Sequence, residues 1–323
     1  MPPTRLVTVR DVADAADLIG PATHRTPLLG PAADDGGQLW IKPENQQRTG
    51  SFKVRGALNA VARLTGVDHV LAQSSGNHGL AVAYAASRHG LRATVVLPDT
   101  APPVKVAAVR ASGARVVVVP AALRESTTAE LCASTGAAPV GSADFDVIAG
   151  HGTVGAEIVA DLPQLGTVLV PVCNGGLLAG VAVAVRALAP RARVVGVEPA
   201  LAGDAAESVR RGRLVRWPVA RTYRTIADGL RAPVLGELAW QHIRALVDDV
   251  VTVDEESIVA AQEFLFDRFG VVAEPSGAVA TAAHLSRAAG PAGGATVAVV
   301  SGGNVAAGRA GHRPDRMRRV GVQ

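Results

Sequence analysis

Short runs rich in β-branched residues recur along this chain, and Ala-rich stretches separate them. The runs are QLWIK (38–42), HVLAQ (69–73), ATVVLP (93–98), RVVVVP (115–120), TVLVPV (167–172), RVVGVEP (193–199) and ATVAVVS (295–301). Short, mostly apolar runs of this kind read as buried strands of a parallel sheet. The stretches between them have a different period. After Lys53, the residues Val54, Ala57, Leu58, Val61 and Leu64 recur at helical spacing. VKVAAVRASG and EESIVAAQEFLFDRFG add two more helices, each closed by glycine. Such alternation sets the class as α/β with parallel sheets. The strands between residues 69 and 120 are expected to form one small sheet. Those from 167 onward form a second, which the N-terminal segment joins. The expectation is two interleaved domains with a cleft between them: residues 1–45 and 142–323 as the larger, 46–141 as the smaller.

Composition narrows the function. Hydrophobic residues make up 48% of the 323, but aromatics only 3%, so the core is built from Ala, Val and Leu. Base stacking needs exposed aromatics, and the net charge of +4 comes with acids interspersed among the bases. No nucleic-acid partner is expected. Cys132 and Cys173 cannot form a disulfide framework and have no metal-ligand spacing. TVLVPVCNGGLLAGVAVAVRA (167–187) mimics a membrane span, but Pro171, Asn174, Gly175 and Gly176 interrupt it. It reads as a strand, a glycine turn and a helix. The N-terminus has no apolar signal region. The expectation is a cytoplasmic protein with no membrane partner.

The choice of basic residue is more informative. Of 32 basic residues only Lys42, Lys53 and Lys105 are lysine. Arginine carries charge equally well, but only lysine can shed its proton and attack a carbonyl to form an imine. Lys53 opens a helical pattern in NQQRTGSFKVRGALNA (45–60).

Three loops at strand ends look built for ligands, because in α/β folds ligands sit where strands lead into helix N-termini. After HVLAQ comes SSGNHG. There Ser74, Ser75, Gly76 and Asn77 offer free backbone N–H groups and short polar side chains to an anion. After TVLVPV comes CNGGLLAG (173–180), whose small residues allow close approach to a helix start that favours phosphate. It is not a dinucleotide fingerprint: counting back from Gly180, G-x-G-x-x-G would need glycine at Leu177. The last strand leads into VVSGGNVAAG, where the Ser301 hydroxyl can meet a ring nitrogen without adding charge.

Taken together, one lysine, one anion turn, one glycine loop and one late serine resemble the fold-type II pyridoxal-phosphate enzymes. Within these, the chain is similar to the serine/threonine dehydratase and serine racemase group. The matching stretches are ENQQRTGSFKVRGA, SSGNHG, LPDTAPPVKVAAVRASGARVV, VIAGHGTVGAEI, GVEP, TIADGL, EPSGA and VSGGNV, in the family's order over roughly residues 20 to 305. The resemblance implies the two-domain architecture of the tryptophan synthase β-like fold, pyridoxal 5'-phosphate as cofactor, a small amino acid as substrate and a homodimer. It also implies roles. Lys53 holds the cofactor as an imine and later moves the α-proton, and Phe52 touches the cofactor ring. Asn77 hydrogen-bonds the phenolic oxygen. Ser74, Ser75, Gly76 and His78 line the substrate-carboxylate pocket. Cys173, Asn174, Gly175, Gly176 and Leu177 cradle the phosphate, and Ser301 faces the pyridine nitrogen. In GVEPALAGDAAES, Glu198, the Ala202 carbonyl and Asp204 are hard oxygen ligands of the kind magnesium or calcium prefers, at the offsets of the family's divalent-metal site.

The departures from the family pattern matter as well. Its phosphate loop usually has four glycines, and here Cys173 and Asn174 fill the first two places. Backbone N–H groups survive that change, so phosphate binding is still expected, with an added Asn174 side-chain contact. Before VIAG the family often has His-Pro-Phe or His-Pro-Asn, whereas this chain has PVGSADFD, with Ser142 near the third position. After VSGGN the chain soon ends, so feedback through a regulatory domain is not expected. His151 is expected to pack or cap, and Cys173 to be a small hydrophobe.

The main functional expectation is an ammonia-lyase, a carbon–nitrogen lyase that converts a β-hydroxy amino acid to a keto acid and ammonia. The alternative is an amino-acid racemase, and a cofactor-binding regulator without turnover is a third class. A racemase needs a second proton carrier opposite the lysine, and Ser75 is the candidate. Serine racemases have serine there, while many threonine dehydratases have alanine.

Overall fold

The computed structural model describes residues 5–34, 37–74, 76–291 and 293–305. Two sheets organise it. The strands are β1 (Leu29–Asp34), β2 (Gly37–Pro43), β3 (His69–Gln73), β4 (Arg92–Pro98), β5 (Arg115–Val119), β6 (Ala138–Pro139), β7 (Leu165–Pro171), β8 (Arg193–Pro199), β9 (Asp249–Val253) and β10 (Ala295–Val300). One sheet has the order β1-β2-β10-β7-β8-β9, the other β5-β4-β3-β6. Every pairing is parallel except β1 with β2. Each expected run is a strand, within two residues at either end.

Three strands escaped sequence reading, each for a physical reason. β1 reads LGPAAD, with glycine and proline where a strand signal would be. β6 is only two residues long. β9 runs exposed, buried, half-buried, exposed, buried, with no regular alternation, and begins three residues after the last residue of a helix. β5 also differs from expectation: it is an edge strand, and Val118 is exposed.

The helices that matter for the site are α1 (Val9–Ile19), α2 (Lys53–Ala62), α3 (Asn77–Arg88), α4 (Pro103–Ala111), α5 (Arg124–Thr135), α6 (Phe145–Asp161), α7 (Gly176–Leu188) and α8 (Asp204–Arg211). The membrane-like stretch resolves into β7, a turn and α7. Among the described residues no helix is long and apolar enough to cross a membrane. α7 is buried on nearly every side, which explains its all-round apolar sequence. It packs with α6 on one face of the six-stranded sheet, in a cluster that includes Ile148, Val154, Leu178, Val181 and Val297. α2 and α3 cover the four-stranded sheet through Val54, Leu58, Val61, Val70 and Ala85.

α2 is joined to the larger sheet by charge. Arg55, only 1% exposed, donates from Nε and Nη2 to the two Glu44 carboxylate oxygens at 2.7 and 2.8 Å. Its Nη1 and Nη2 reach Glu157 on α6 at 2.7 and 2.9 Å. Lys42 at the end of β2 donates to Glu157 at 2.6 Å and to the Thr26 carbonyl at 2.6 Å. Burial alone would push the Glu44 carboxyl up, but the Arg55 charge and hydrogen bonds, with Lys42 behind them, hold it below its ordinary value. Arg55→Met should therefore leave Glu44 buried beside an apolar side chain and cost about 3–5 kcal/mol in urea unfolding. The half-exposed Arg63, whose Nε lies 3.6 Å from Asp146, should cost about 1 kcal/mol or less when cut to alanine.

Candidate active site

The loops expected to form the site do meet. Lys53 is the first residue of α2. The residue before it donates its backbone N–H to the Ser301 carbonyl at 3.1 Å, and Ser51 forms a β-bridge with Gly302. The loop after β10 is thus stitched to the lysine segment. Asn304, further along that loop, donates to the Thr49 carbonyl and to Asn77 Oδ1, each at 2.9 Å, which brings in the start of α3. The turn after β7 closes the remaining side, with Cys173 near enough to Lys53 to influence its amine.

Lys53 is half-buried, with Nζ 4.7 Å from the Phe52 ring centroid. Burial pushes its pKa below the ordinary lysine value of 10.5, and Cys173 and Glu274 only partly oppose this. A lysine so placed spends more of its time as the free amine, the form that attacks a carbonyl. Phe52 is buried and meets the His151 ring edge-on, with centroids 4.6 Å apart. His151 is fully buried, and burial keeps its imidazole neutral, so the expected packing role fits.

The turn 173–177 leads directly into α7. Gly175 sits at φ +89 as the N-cap, and no side chain caps the helix. The N–H groups of Gly176, Leu177 and Leu178 therefore open the helix as unspent donors, as the first turn of any uncapped helix does. Gly176 and Leu177 are buried. Such donors cost free energy unless an anion or water meets them. Cys173 is also left-handed at φ +56, rare outside glycine. Burial pushes its thiol up, so it stays a neutral small side chain.

In the anion turn, Ser74 Oγ accepts from Gly76 N at 2.8 Å and Gly79 N at 2.9 Å. It thereby braces the turn, and what it can offer a ligand is its hydroxyl proton. His78 is buried, its Nε2 2.8 Å from the Val140 carbonyl, and burial followed by the Lys53 charge lowers its pKa to about 4. A neutral imidazole that donates from Nε2 has only an acceptor left at Nδ1. It would meet a carboxylate through the backbone rather than through the ring. Ser75 lies outside the described residues.

Ser301 is buried, and its Oγ donates to the Ser276 carbonyl at 3.3 Å. This is a long bond, easily exchanged for a ring nitrogen.

Glu198 and Asp204 form a separate acid pair. Both are buried, and among the described residues neither carboxylate oxygen of Asp204 has a hydrogen-bond partner. Glu198 accepts from Ala206 N at 3.0 Å. Burial pushes Glu198 well up, with Asp204 adding to it, and burial raises Asp204 to about 7. Ala202 lies buried in the turn between them. Among the described residues no cluster of three or more His, Cys, Asp or Glu side chains is placed to hold a metal.

Sequence reading missed one group. Lys105 on α4 reaches Asp228 Oδ2 at 2.6 Å and Glu274 Oε2 at 2.9 Å, while Glu274 Oε1 accepts from Asn77 Nδ2 at 2.5 Å. The Lys105 stem lies against Gly76, where a Cβ would come within 2.4 Å of it. TIADGL and EPSGA carried these acids, and Lys105 stood out as one of three lysines, yet nothing local linked them.

The family model described as "Pyridoxal-phosphate dependent enzyme" matches residues 19–303. The chain belongs to this pyridoxal-phosphate family. It is 38% identical over 287 residues to a serine racemase of Oryza sativa, covering 86% of this chain and 84% of that one. It is 39% identical over 307 residues to an L-threo-3-hydroxyaspartate ammonia-lyase of Saccharomyces cerevisiae, covering 92% and 93%. A solved T.th. threonine deaminase superposes with a TM-score of 0.87 at 43% identity, over 93% of this chain and 99% of that one. Close relatives of this pyridoxal-phosphate enzyme are thus carbon–nitrogen lyases and racemases. The residues present fit the cofactor: a partly buried lysine whose pKa burial lowers stands beside the turn that leads into a buried, uncapped helix start.

The depressed Lys53 pKa sets a pH dependence. Capture of pyridoxal phosphate by the stripped protein should speed up as pH rises and level off below the ordinary lysine pKa of 10.5. Following the visible band against pH measures this; a midpoint at the ordinary value would contradict it.

Proposed function

We propose that this pyridoxal-phosphate enzyme is an ammonia-lyase that converts a β-hydroxy amino acid of the serine/threonine type to a keto acid and ammonia. The observation that carries the reading is the convergence of the Lys53 amine with the uncapped start of α7. When bound, the cofactor withdraws electrons from the substrate Cα, so that an α-proton and a β-hydroxyl can leave. The protein's part is to place and to protect. Lys53 Nζ, whose pKa burial lowers, would tie the cofactor and would be placed to receive the α-proton. The N–H groups of α7 and residues 173–177 hold the phosphate. Asn77, oriented by Glu274, would hold the phenolic oxygen, and the neutral Ser301 hydroxyl would meet the pyridine nitrogen. The backbone N–H groups of Asn77 and His78, at the open start of α3, would hold the substrate carboxylate. A neutral partner at the ring nitrogen suits elimination over amino transfer.

Racemisation is a second reading, favoured by the serine at position 75 and by the similarity to serine racemases. We read the enzyme further as a cytoplasmic homodimer. A paired assay separates the two activities: keto acid formed from L-serine, L-threonine and L-threo-3-hydroxyaspartate, beside chiral analysis of recovered substrate. Keto acid from at least one L-substrate is expected, with Lys53→Arg inactive and without the visible cofactor band, because a guanidinium cannot form the imine. Keto acid from Lys53→Arg, or inverted substrate alone from the native protein, would refute the lyase reading. Ser75→Ala should remove racemisation and spare elimination from the L-substrate.

We propose too that Glu198, the Ala202 carbonyl and Asp204 hold magnesium or calcium. Two acids buried side by side are costly, and a hard divalent ion relieves both. Chelation should lower the calorimetric Tm, and added magnesium should restore it. An unchanged Tm would show that no such ion supports the fold.

A further inference from the structure

Two departures from the family pattern, far apart in sequence, meet in the fold. Asn174 Nδ2 donates to Ser142 Oγ at 2.5 Å. Both partners are held in place. The Asn174 carbonyl accepts from Gly236 N at 3.0 Å. On the other side, Asp144 Oδ2 accepts from Gly141 N at 2.6 Å, fixing the loop that carries Ser142. That loop leans on the start of α7: a Cβ at Gly176 would come within 2.4 Å of the Ser142 carbonyl. Glycine at 176 is what lets the loop and the helix start touch.

The pair therefore stands beside the unspent N–H groups of α7. Gly175 N is already committed to the Val172 carbonyl at 3.0 Å. Ser142 Oγ accepts the amide hydrogen, so its own proton must point elsewhere, and among the described residues it meets no protein acceptor. Turning the amide over would let the hydroxyl donate to Oδ1 and would free the amide N–H₂ instead. Either arrangement leaves at least one donor over, next to a helix start that favours an anion.

We propose that Ser142 and Asn174 work as a pair that adds a side-chain donor to the phosphate cradle, with Asn174 positioning Ser142. The pair compensates for a loop in which Cys173 and Asn174 replace flexible glycines. This rests on the reading that residues 173–177 hold the cofactor phosphate.

The test titrates pyridoxal phosphate and pyridoxal onto full-length protein stripped of cofactor, for native protein, Ser142→Ala, Asn174→Gly and the double variant. Native protein should prefer the phosphate ester. Each single variant should bind pyridoxal phosphate about ten-fold to a hundred-fold more weakly, the range for one charge-assisted donor. The double variant should be little worse than either single one, and pyridoxal binding should not move. Ser142→Thr, which keeps the hydroxyl, should recover affinity and also guards against a folding defect in the alanine variant. Equal weakening of both ligands would make the pair a mere loop brace, and no weakening would make it idle; either result overturns the proposal. If native protein itself binds pyridoxal as tightly as the ester, the phosphate assignment of 173–177 fails, whatever the variants do.

Discussion

The buried guanidinium of Arg55 is the interaction on which the site depends. It lies two residues after Lys53 on the same helix, and Glu44, Glu157 and Thr153 hold it from three directions. Glu44 follows β2, while Glu157 and Thr153 belong to α6. One side chain thus locks the lysine-bearing helix against the end of a strand and against a central helix. Desolvating that many charges is expensive, and good geometry with fully used donors is what offsets it. An apolar side chain could fill the space but would not fix the rotation of α2. That rotation decides where the Lys53 amine points.

The two basic residues of FKVR therefore divide the work. Lysine at 53 supplies an amine that can lose its proton, and arginine at 55 supplies a charge that cannot. This is the physical content behind the sequence contrast between three lysines and a large majority of arginines. Lys42 and Lys105 serve differently: each is a buried ammonium held by carboxylates, Lys42 by Glu157 and Lys105 by Asp228 and Glu274.

Much of this was legible from the chain alone, because strand runs, helical periods and glycine turns are local signals. The strand HVLAQ and the strand RVVGVEP appear with the bounds that the sequence suggested. What stayed hidden was non-local. β1 joins the sheet only because β2 lies beside it, and its own residues carry no strand pattern. The lone pairs of Ser74 go to Gly76 and Gly79, so its hydroxyl proton is what remains for a ligand, and no spacing rule could rank that in advance. The bond between Asn174 and Ser142 and the charge group around Lys105 join segments that only the tertiary fold brings together.

The burial of two lysines has a further consequence for the chemistry of the surface. Lys42 is 0% exposed and Lys105 4%, and both ammonium groups are committed to carboxylates. Arginine does not react with acylating reagents aimed at amines. Among side-chain amines, such a reagent meets only Lys53 without an ion-paired carboxylate. Side-chain labelling of this protein by ordinary amine coupling would therefore report on the surroundings of Lys53 rather than on the surface at large, and a group bound to Lys53 would leave the N-terminal amine as the amine that still reacts.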